Sequence, residues 1–141
     1  DDFLTYEGDG VITDLARAFQ RSGKTQLSVM ELNCSDISKY GVVVPNGEKG
    51  SVAGLVEKPD LDKAPSNMAS IGRYVLTPDI FDILRNQPPG ADGEIQLADA
   101  INTQATNNAV EAVTLNGCRF DCGSVQGYLD AIMYVADRRQ R

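Results

Sequence analysis

A short run of β-forming residues, Val52-Ala53-Gly54-Leu55-Val56, is stopped by Glu57-Lys58-Pro59. Proline brings no N–H to a sheet ladder, so the strand must end near Val56, leaving a carboxylate and an ammonium at its tip. The carboxylate can accept hydrogen bonds from hydroxyl groups, and the ammonium can neutralise a phosphate. On these residues alone two readings are open: a strand tip that grips a polar ligand, and an exposed turn whose charges are simply solvated.

The flanking sequence builds a sheet around that strand. Tyr40-Gly41-Val42-Val43-Val44-Pro45 is a second β-run, and Asn46-Gly47 with Glu48-Lys49-Gly50 is a turn, so the two strands form an expected antiparallel hairpin. Gly41 allows either close approach of a ligand or relief of local crowding. Further strands are expected at Leu27–Leu32, where apolar and polar residues alternate, at Ile71–Leu76 and at Val110–Leu115. Residues 10–22 carry Ile12, Leu15, Ala16 and Phe19 at helical spacing and stop at Gly23. Thr77 and Pro78 suit the N-cap and first position of a helix whose apolar face is Ile80, Phe81, Ile83 and Leu84. Glu94–Ile101 predicts another helix with Leu97, Ala98 and Ile101 inward. Ser124 predicts the cap of a last one, with Val125, Tyr128, Leu129, Ile132, Met133 and Val135 as a buried stripe. Asp60–Ser66 predicts an irregular loop. The class is α/β, a mixed sheet flanked by helices.

Composition narrows the chemistry. A chain of 141 residues is one domain or part of one, and it opens at Asp1-Asp2-Phe3 without a Met, so upstream sequence is expected. A net charge of -7, with no basic run before Arg138-Arg139, argues against a nucleic-acid partner. No apolar run approaches the ~20 residues of a membrane helix. There is no histidine, which removes Ser-His and Cys-His catalytic pairs. Cys34, Cys118 and Cys122 offer too few ligands for zinc and suit reduced thiols in a cytoplasmic setting. Asp1-Asp2 ends an expected strand, where paired carboxylates suit Mg²⁺ or are only a charged chain end. Asp121 stands before Gly123 and a helix start, a place where free amides can meet a ligand, or an ordinary helix-leading turn.

The order of these motifs is more specific than any one of them. Asp1-Asp2-Phe3-Leu4, Tyr40-Gly41-Val42-Val43, Val56-Glu57-Lys58-Pro59, Ala64-Pro65-Ser66-Asn67, Gly72-Arg73-Tyr74-Val75-Leu76, Gly93-Glu94-Ile95-Gln96-Leu97 and Asp121-Cys122-Gly123 follow one another along the chain. The set closely resembles the C-terminal half of the bacterial UTP–glucose-1-phosphate uridylyltransferases (UDP-glucose pyrophosphorylases), over essentially the whole chain. The related thymidylyltransferases share the Glu-Lys-Pro and Asp-x-Gly elements, whereas Ala-Pro-Ser-Asn and Glu-Ile-Gln-Leu are similar to the uridylyl branch.

The resemblance implies a nucleotide-diphospho-sugar transferase fold, a Rossmann-like α/β/α sandwich, and magnesium-dependent transfer of a uridylyl group from UTP to glucose 1-phosphate, giving UDP-glucose and pyrophosphate. It implies that Asp1 and Asp121 hold Mg²⁺, that Glu57 accepts from glucose hydroxyls, that Lys58 stands beside the sugar phosphate, and that Gly41 and Ser70 give backbone contacts to the sugar. It places Lys58, Asp1 and Asp121 at the chemistry, and dimers or tetramers as the state of the full-length enzyme. It also implies that residues 1–141 are the sugar- and metal-binding half, inactive alone, because no stretch resembles the glycine-rich loop of the nucleotide-binding half. Uncovered apolar faces and sheet edges are therefore expected, with self-association or pairing with the other half. A non-catalytic sugar-nucleotide-binding or regulatory module of the same fold, or a thymidylyltransferase relative, is the alternative.

Overall fold

The structure, a computed structural model, describes residues 2–90 and 93–139, without the side chains of Cys34 and Ser35. Five strands form one mixed sheet in the order β4 (Val52–Glu57), β3 (Gly41–Pro45), β5 (Met68–Val75), β2 (Thr25–Glu31), β6 (Val110–Thr114). Neighbours run antiparallel except β2 and β6, which are parallel. The β3–β4 hairpin turns where expected: Gly47 takes φ +74°, which glycine alone adopts without steric cost, and the Asn46 amide donates to Ser51 O at 3.1 Å. The sheet curls until its two edge strands meet at one corner, where Ser51 bridges Glu111 and the Ala112 amide donates to Gly50 O at 2.7 Å.

The concave face holds the core. Leu27, Val29, Val43, Val52 and Leu55 pack there against Ile80 of α2 (Ile80–Asn86) and Ala100, Ile101 and Ala105 of α3 (Leu97–Thr106). The other face of β2 is covered by α1 (Val11–Ser22), whose Leu15 is fully buried. The apolar–polar alternation of β2 therefore does not mark a solvent face. Gln26 and Ser28 are as buried as Leu27, because Ser22 at the end of α1 accepts from Gln26 Nε2 at 3.0 Å and Val11 and Leu15 pack over Ser28.

Three local expectations shift. Thr77 does not cap α2 through its side chain: its hydroxyl accepts from Gln104 Nε2 at 2.7 Å and meets Thr25 Oγ1 at 3.1 Å, so a tertiary network takes the group a cap would use, and Phe81 points to solvent. Helix α3 begins at Leu97 rather than Glu94, with Ile95 exposed before it. The 60–66 loop contains a 3-10 turn at Leu61–Lys63.

A separate antiparallel ribbon is made of β1 (Asp2–Leu4) and β7 (Arg119–Asp121), with Asp2 opposite Asp121 and Leu4 opposite Arg119. Ser124 then caps α4 (Val125–Arg139), its Oγ accepting from the Gly127 amide at 3.1 Å as expected. The apolar stripe of α4 is not buried among the described residues. Ala131 is buried, whereas Val125 is 80% and Met133 65% exposed, and Tyr128, Leu129 and Ile132 are also exposed. Periodicity identifies an apolar face but says nothing about what covers it. The uncovered face matches the other expectation drawn from the sequence.

Candidate functional site

The hairpin and its neighbour strand set three of the expected residues in one row. Glu57 on β4 pairs with Gly41 on β3, and Gly41 pairs on its other side with Ser70 on β5. Adjacent strands lie about 4.8 Å apart and directly paired residues share a face, so the row crosses roughly 10 Å of one sheet surface. A Cβ on Gly41 would stand 3.0 Å from Glu57 Oε2. The glycine thus gives the Glu57 carboxylate room to lean over β3, which is the relief of crowding, one of the two roles open to it. These residues line a hollow of about 90 Å³ whose far wall is Tyr74, Leu97 and Ala98. Ser70 Oγ donates to Tyr74 Oη at 3.4 Å.

Lys58 is at the rim. Its φ is +44°, in the left-handed region, and it precedes a proline, which further restricts its backbone. Such a conformation costs of order 1–3 kcal/mol and persists where the surroundings impose it. Here the Lys58 amide donates to Tyr40 O at 3.0 Å, one step beyond the β3–β4 ladder, and Pro59 is buried. The side chain stays largely exposed, with Nζ 4.0 Å from Glu57 Oε1. An exposed pair at that distance holds itself weakly and is open to a third partner.

Asp121 ends β7 and is exposed. Its Oδ1 accepts from the Gly123 amide at 3.1 Å, while Oδ2 has no hydrogen-bond partner among the described residues. It is not among the residues that line the hollow walled by Glu57, Gly41 and Ser70. Lys39, whose ammonium is held above its ordinary pKa chiefly by Asp36, also feels the Asp121 carboxylate, and Lys39 is followed by Tyr40 and Gly41. Asp1, the other expected metal ligand, lies outside the described residues. Asp2 is paired within the ribbon: its Oδ1 accepts from Arg119 Nε at 2.8 Å and from Nη2 of the same guanidinium.

The donor chemistry fits a hard divalent cation in part. Asp121 presents one unpartnered carboxylate oxygen, the ligand type Mg²⁺ takes, and Mg²⁺ commonly keeps several waters beside one or two carboxylates. Among the described residues no group of three or more His, Cys, Asp or Glu side chains could hold a metal by itself.

Two residues of this region were not identified from sequence. Tyr74 and Arg119 sit inside quoted motifs, but nothing in Gly-Arg-Tyr-Val-Leu or Arg-Phe-Asp says that one will wall a hollow and the other be buried. Arg119, 9% exposed in its side chain, donates through Nη1 to Tyr40 Oη and stacks with its guanidinium carbon 4.6 Å from the Tyr40 ring centroid. Burial pulls its pKa down, but Asp2 and then Tyr40 outweigh burial and hold it above the ordinary arginine value.

The chain is similar to known proteins over most of its length. A family model described as nucleotidyl transferase matches residues 3–138. A UTP–glucose-1-phosphate uridylyltransferase of Pseudomonas aeruginosa is 44% identical over 131 residues, 91% of this chain and 47% of that protein. Among solved structures, an apo UDP-glucose pyrophosphorylase superposes with a TM-score of 0.89 at 38% identity, covering 98% of this chain and 52% of that one. A UDP-glucose pyrophosphorylase complexed with UDP-glucose superposes with a TM-score of 0.85 at 38% identity, covering 99% and 54%. The chain thus spans about half the length of the relatives it matches. With the family model matched from Phe3 to Arg138, the chain belongs to the nucleotidyl transferase family.

Proposed function

We propose that the protein carrying this chain transfers a uridylyl group from UTP to glucose 1-phosphate, and that residues 1–141 are its C-terminal, sugar- and metal-binding part. The observation that carries this reading is the Glu57–Gly41–Ser70 row, ending at a Lys58 held in a left-handed turn. Its relatives' names supply the substrates, and the UDP-glucose complex is the structural precedent.

In this reading a phosphate oxygen of glucose 1-phosphate forms a bond to the α-phosphorus of UTP, and the bond to the bridging oxygen breaks, pyrophosphate leaving with the electron pair. A phosphate nucleophile is already ionised at neutral pH, so the step needs in-line positioning and charge neutralisation more than a general base. Glu57 accepts from sugar hydroxyls, and Gly41 and Ser70 bring backbone against the ring. Lys58 neutralises the sugar phosphate as a point charge. Asp121 and Asp1 would hold a divalent cation, Mg²⁺ in our reading, which supplies charge neutralisation at the reacting phosphates. What supports Asp1 in this role is that Asp2, its chain neighbour, stands opposite Asp121 in the ribbon. The cytoplasm is the proposed compartment, and a homo-oligomer the proposed state of the whole protein.

The test is Lys58→Ala in the full-length protein, assayed by pyrophosphate release. Removing a cation that meets developing phosphate charge should cost about 10²–10³ in turnover. Near-normal turnover removes Lys58 from the site. UDP-glucose binding to the full-length protein without any transfer would favour a binding module instead.

A further inference from the structure

Among the described residues, the ribbon that carries Asp121 shares no ladder with the five-stranded sheet that carries Glu57, Gly41 and Ser70. A transfer reaction needs the two halves of its site held within a fraction of an ångström, and a 1 Å misplacement can cost about 10² in rate. Something other than strand pairing must set that spacing. The residue placed to do so is Arg119.

Arg119 is two residues before Asp121 on β7, and Tyr40 is one residue before Gly41 on β3. The Arg119 guanidinium spans the gap. Nε and Nη2 grip Asp2 on the ribbon's other strand, Nη1 donates to Tyr40 Oη, and the cation lies 4.6 Å from the Tyr40 ring centroid. Tyr40 also accepts the Lys58 amide at its carbonyl, so the same residue fixes the strained turn at the rim of the hollow. A second, weaker tether runs parallel: Arg73 Nη2 donates to the Asp2 carbonyl at 3.3 Å. An arginine nearly buried, bonded to a carboxylate and a phenol and stacked on the same ring, is rigid in a way an exposed ion pair is not.

We propose that Arg119 is a positioning residue that fixes the Asp121 ribbon against the strand ends bearing Gly41, Glu57 and Lys58, through Asp2 and Tyr40. It touches no reacting atom. It sets the offset between the cation side of the site and the sugar side, as outer residues do around metal ligands, where their loss typically costs about 10–100-fold in affinity or activity. The catalytic consequence rests on the uridylyl-transfer reading; the metal-binding consequence does not.

The experiment uses the full-length protein with Arg119→Ala, Arg119→Lys and Tyr40→Phe, normalised for folded fraction by thermal melts. In Arg119→Ala the half-saturating Mg²⁺ concentration should rise about 10-fold or more and kcat fall about 10–100-fold, while KM for glucose 1-phosphate moves less than about 3-fold. Lysine should restore only part, because an ammonium lacks the planar fork that grips Asp2 through two nitrogens while stacking on the Tyr40 ring, and Tyr40→Phe should shift the same quantities less. A purely structural role would lower kcat with the folded fraction and leave the Mg²⁺ requirement unchanged, which would overturn the proposal. Calorimetric titration with Mn²⁺ alone, which needs no turnover, separates this idea from the one it rests on. If the unmodified protein binds Mn²⁺ but transfers nothing, the uridylyl reading fails, and weaker Mn²⁺ binding in Arg119→Ala still supports the positioning role. Equal Mn²⁺ binding in both proteins, or none in the unmodified one, overturns it.

Discussion

Gly41 shows how a single missing side chain can make room for a neighbouring carboxylate rather than for a turn. Its backbone is ordinary strand, so left-handed freedom is not what selects glycine here; the 3.0 Å from a Cβ position to Glu57 Oε2 is. The obstructing atom is the far end of a flexible side chain, so the sheet need not move to admit a methyl group. Gly41→Ala should therefore change stability by less than about 1 kcal/mol, since alanine suits a strand at least as well as glycine. The displaced carboxylate should weaken glucose 1-phosphate binding by about 10-fold, the scale of one charge-assisted hydrogen bond. Calorimetry on the full-length protein checks this against the melting temperature. Loss of stability with unchanged affinity would show that the glycine serves packing alone. Lys58 is the complementary case, a residue whose backbone is strained at the rim where the proposed site would use its charge.

At the scale of elements, the edges of the sheet show what sequence patterns leave out. Strand β4 is an edge strand, and at Leu55 the Asn102 side chain of α3 covers that edge, accepting from the Leu55 amide at 2.6 Å and donating to the Leu55 carbonyl at 3.1 Å. One amide group imitates a neighbouring strand, and nothing around Asn102 announces it. The hairpin, by contrast, was legible because Asn-Gly and the Pro-terminated β-run are local signals, and so was the row of Glu57, Gly41 and Ser70 once the motif order had singled them out. Strand β2 was legible as a strand from its alternation, but helices cover both of its faces, so Gln26 and Ser28 are buried beside Leu27. Its partner β6 carries Glu111, where the polar side of β2 makes a testable contact. Burial pushes the Glu111 carboxyl up, but Gln26, Ser22 and Lys24 outweigh it and hold the pKa below the usual 4.5. Gln26 Nε2 donates to Glu111 Oε2 at 3.0 Å, and Lys24 Nζ stands 3.6 Å from Oε1. A depressed folded pKa stabilises above the unfolded value and loses that contribution as pH falls through the folded one. Melting temperature should thus drop on acidification below about pH 4.5. Glu111→Gln should cost about 1 kcal/mol at neutral pH and lose that difference as pH falls through the depressed folded pKa. A variant that tracks the unmodified protein at every pH would show that the contact contributes nothing to stability.

For the whole molecule the decisive feature is the apolar surface on α4. Beside it a groove of about 1010 Å³ is lined by Phe3, Tyr128, Ala131, Ile132 and Val135, with Asp2 and Arg73 at its polar end. Phe120 packs its ring at a tilt against Tyr134, centroids 5.1 Å apart, on the inner side of the helix, so α4 is anchored by one face while its larger residues face out. Contiguous exposed apolar surface of this kind is uncommon on a monomer in solution and marks a place where something docks. Burying Val125, Tyr128, Leu129, Ile132 and Met133 would release roughly 1.5–3 kcal/mol for each side chain made dry, enough to offset the cost of bringing two chains together. Expressed as these 141 residues alone, the chain should therefore associate with itself through α4. Sedimentation velocity from about 1 to 100 µM should show a concentration-dependent dimer or larger species, with micromolar affinity as the scale such a patch supports. Met133→Glu, on the most exposed half of the stripe and remote from Ala131, should shift that equilibrium to monomer without lowering the melting temperature at low concentration. The site residues on β3, β4 and β5 lie on a different element, so the same substitution should leave the Glu57–Gly41–Ser70 row intact. A chain that stays monomeric at 100 µM would mean that α4 hides its apolar face by repacking on its own sheet, and the ribbon holding Asp121 would have to move with it.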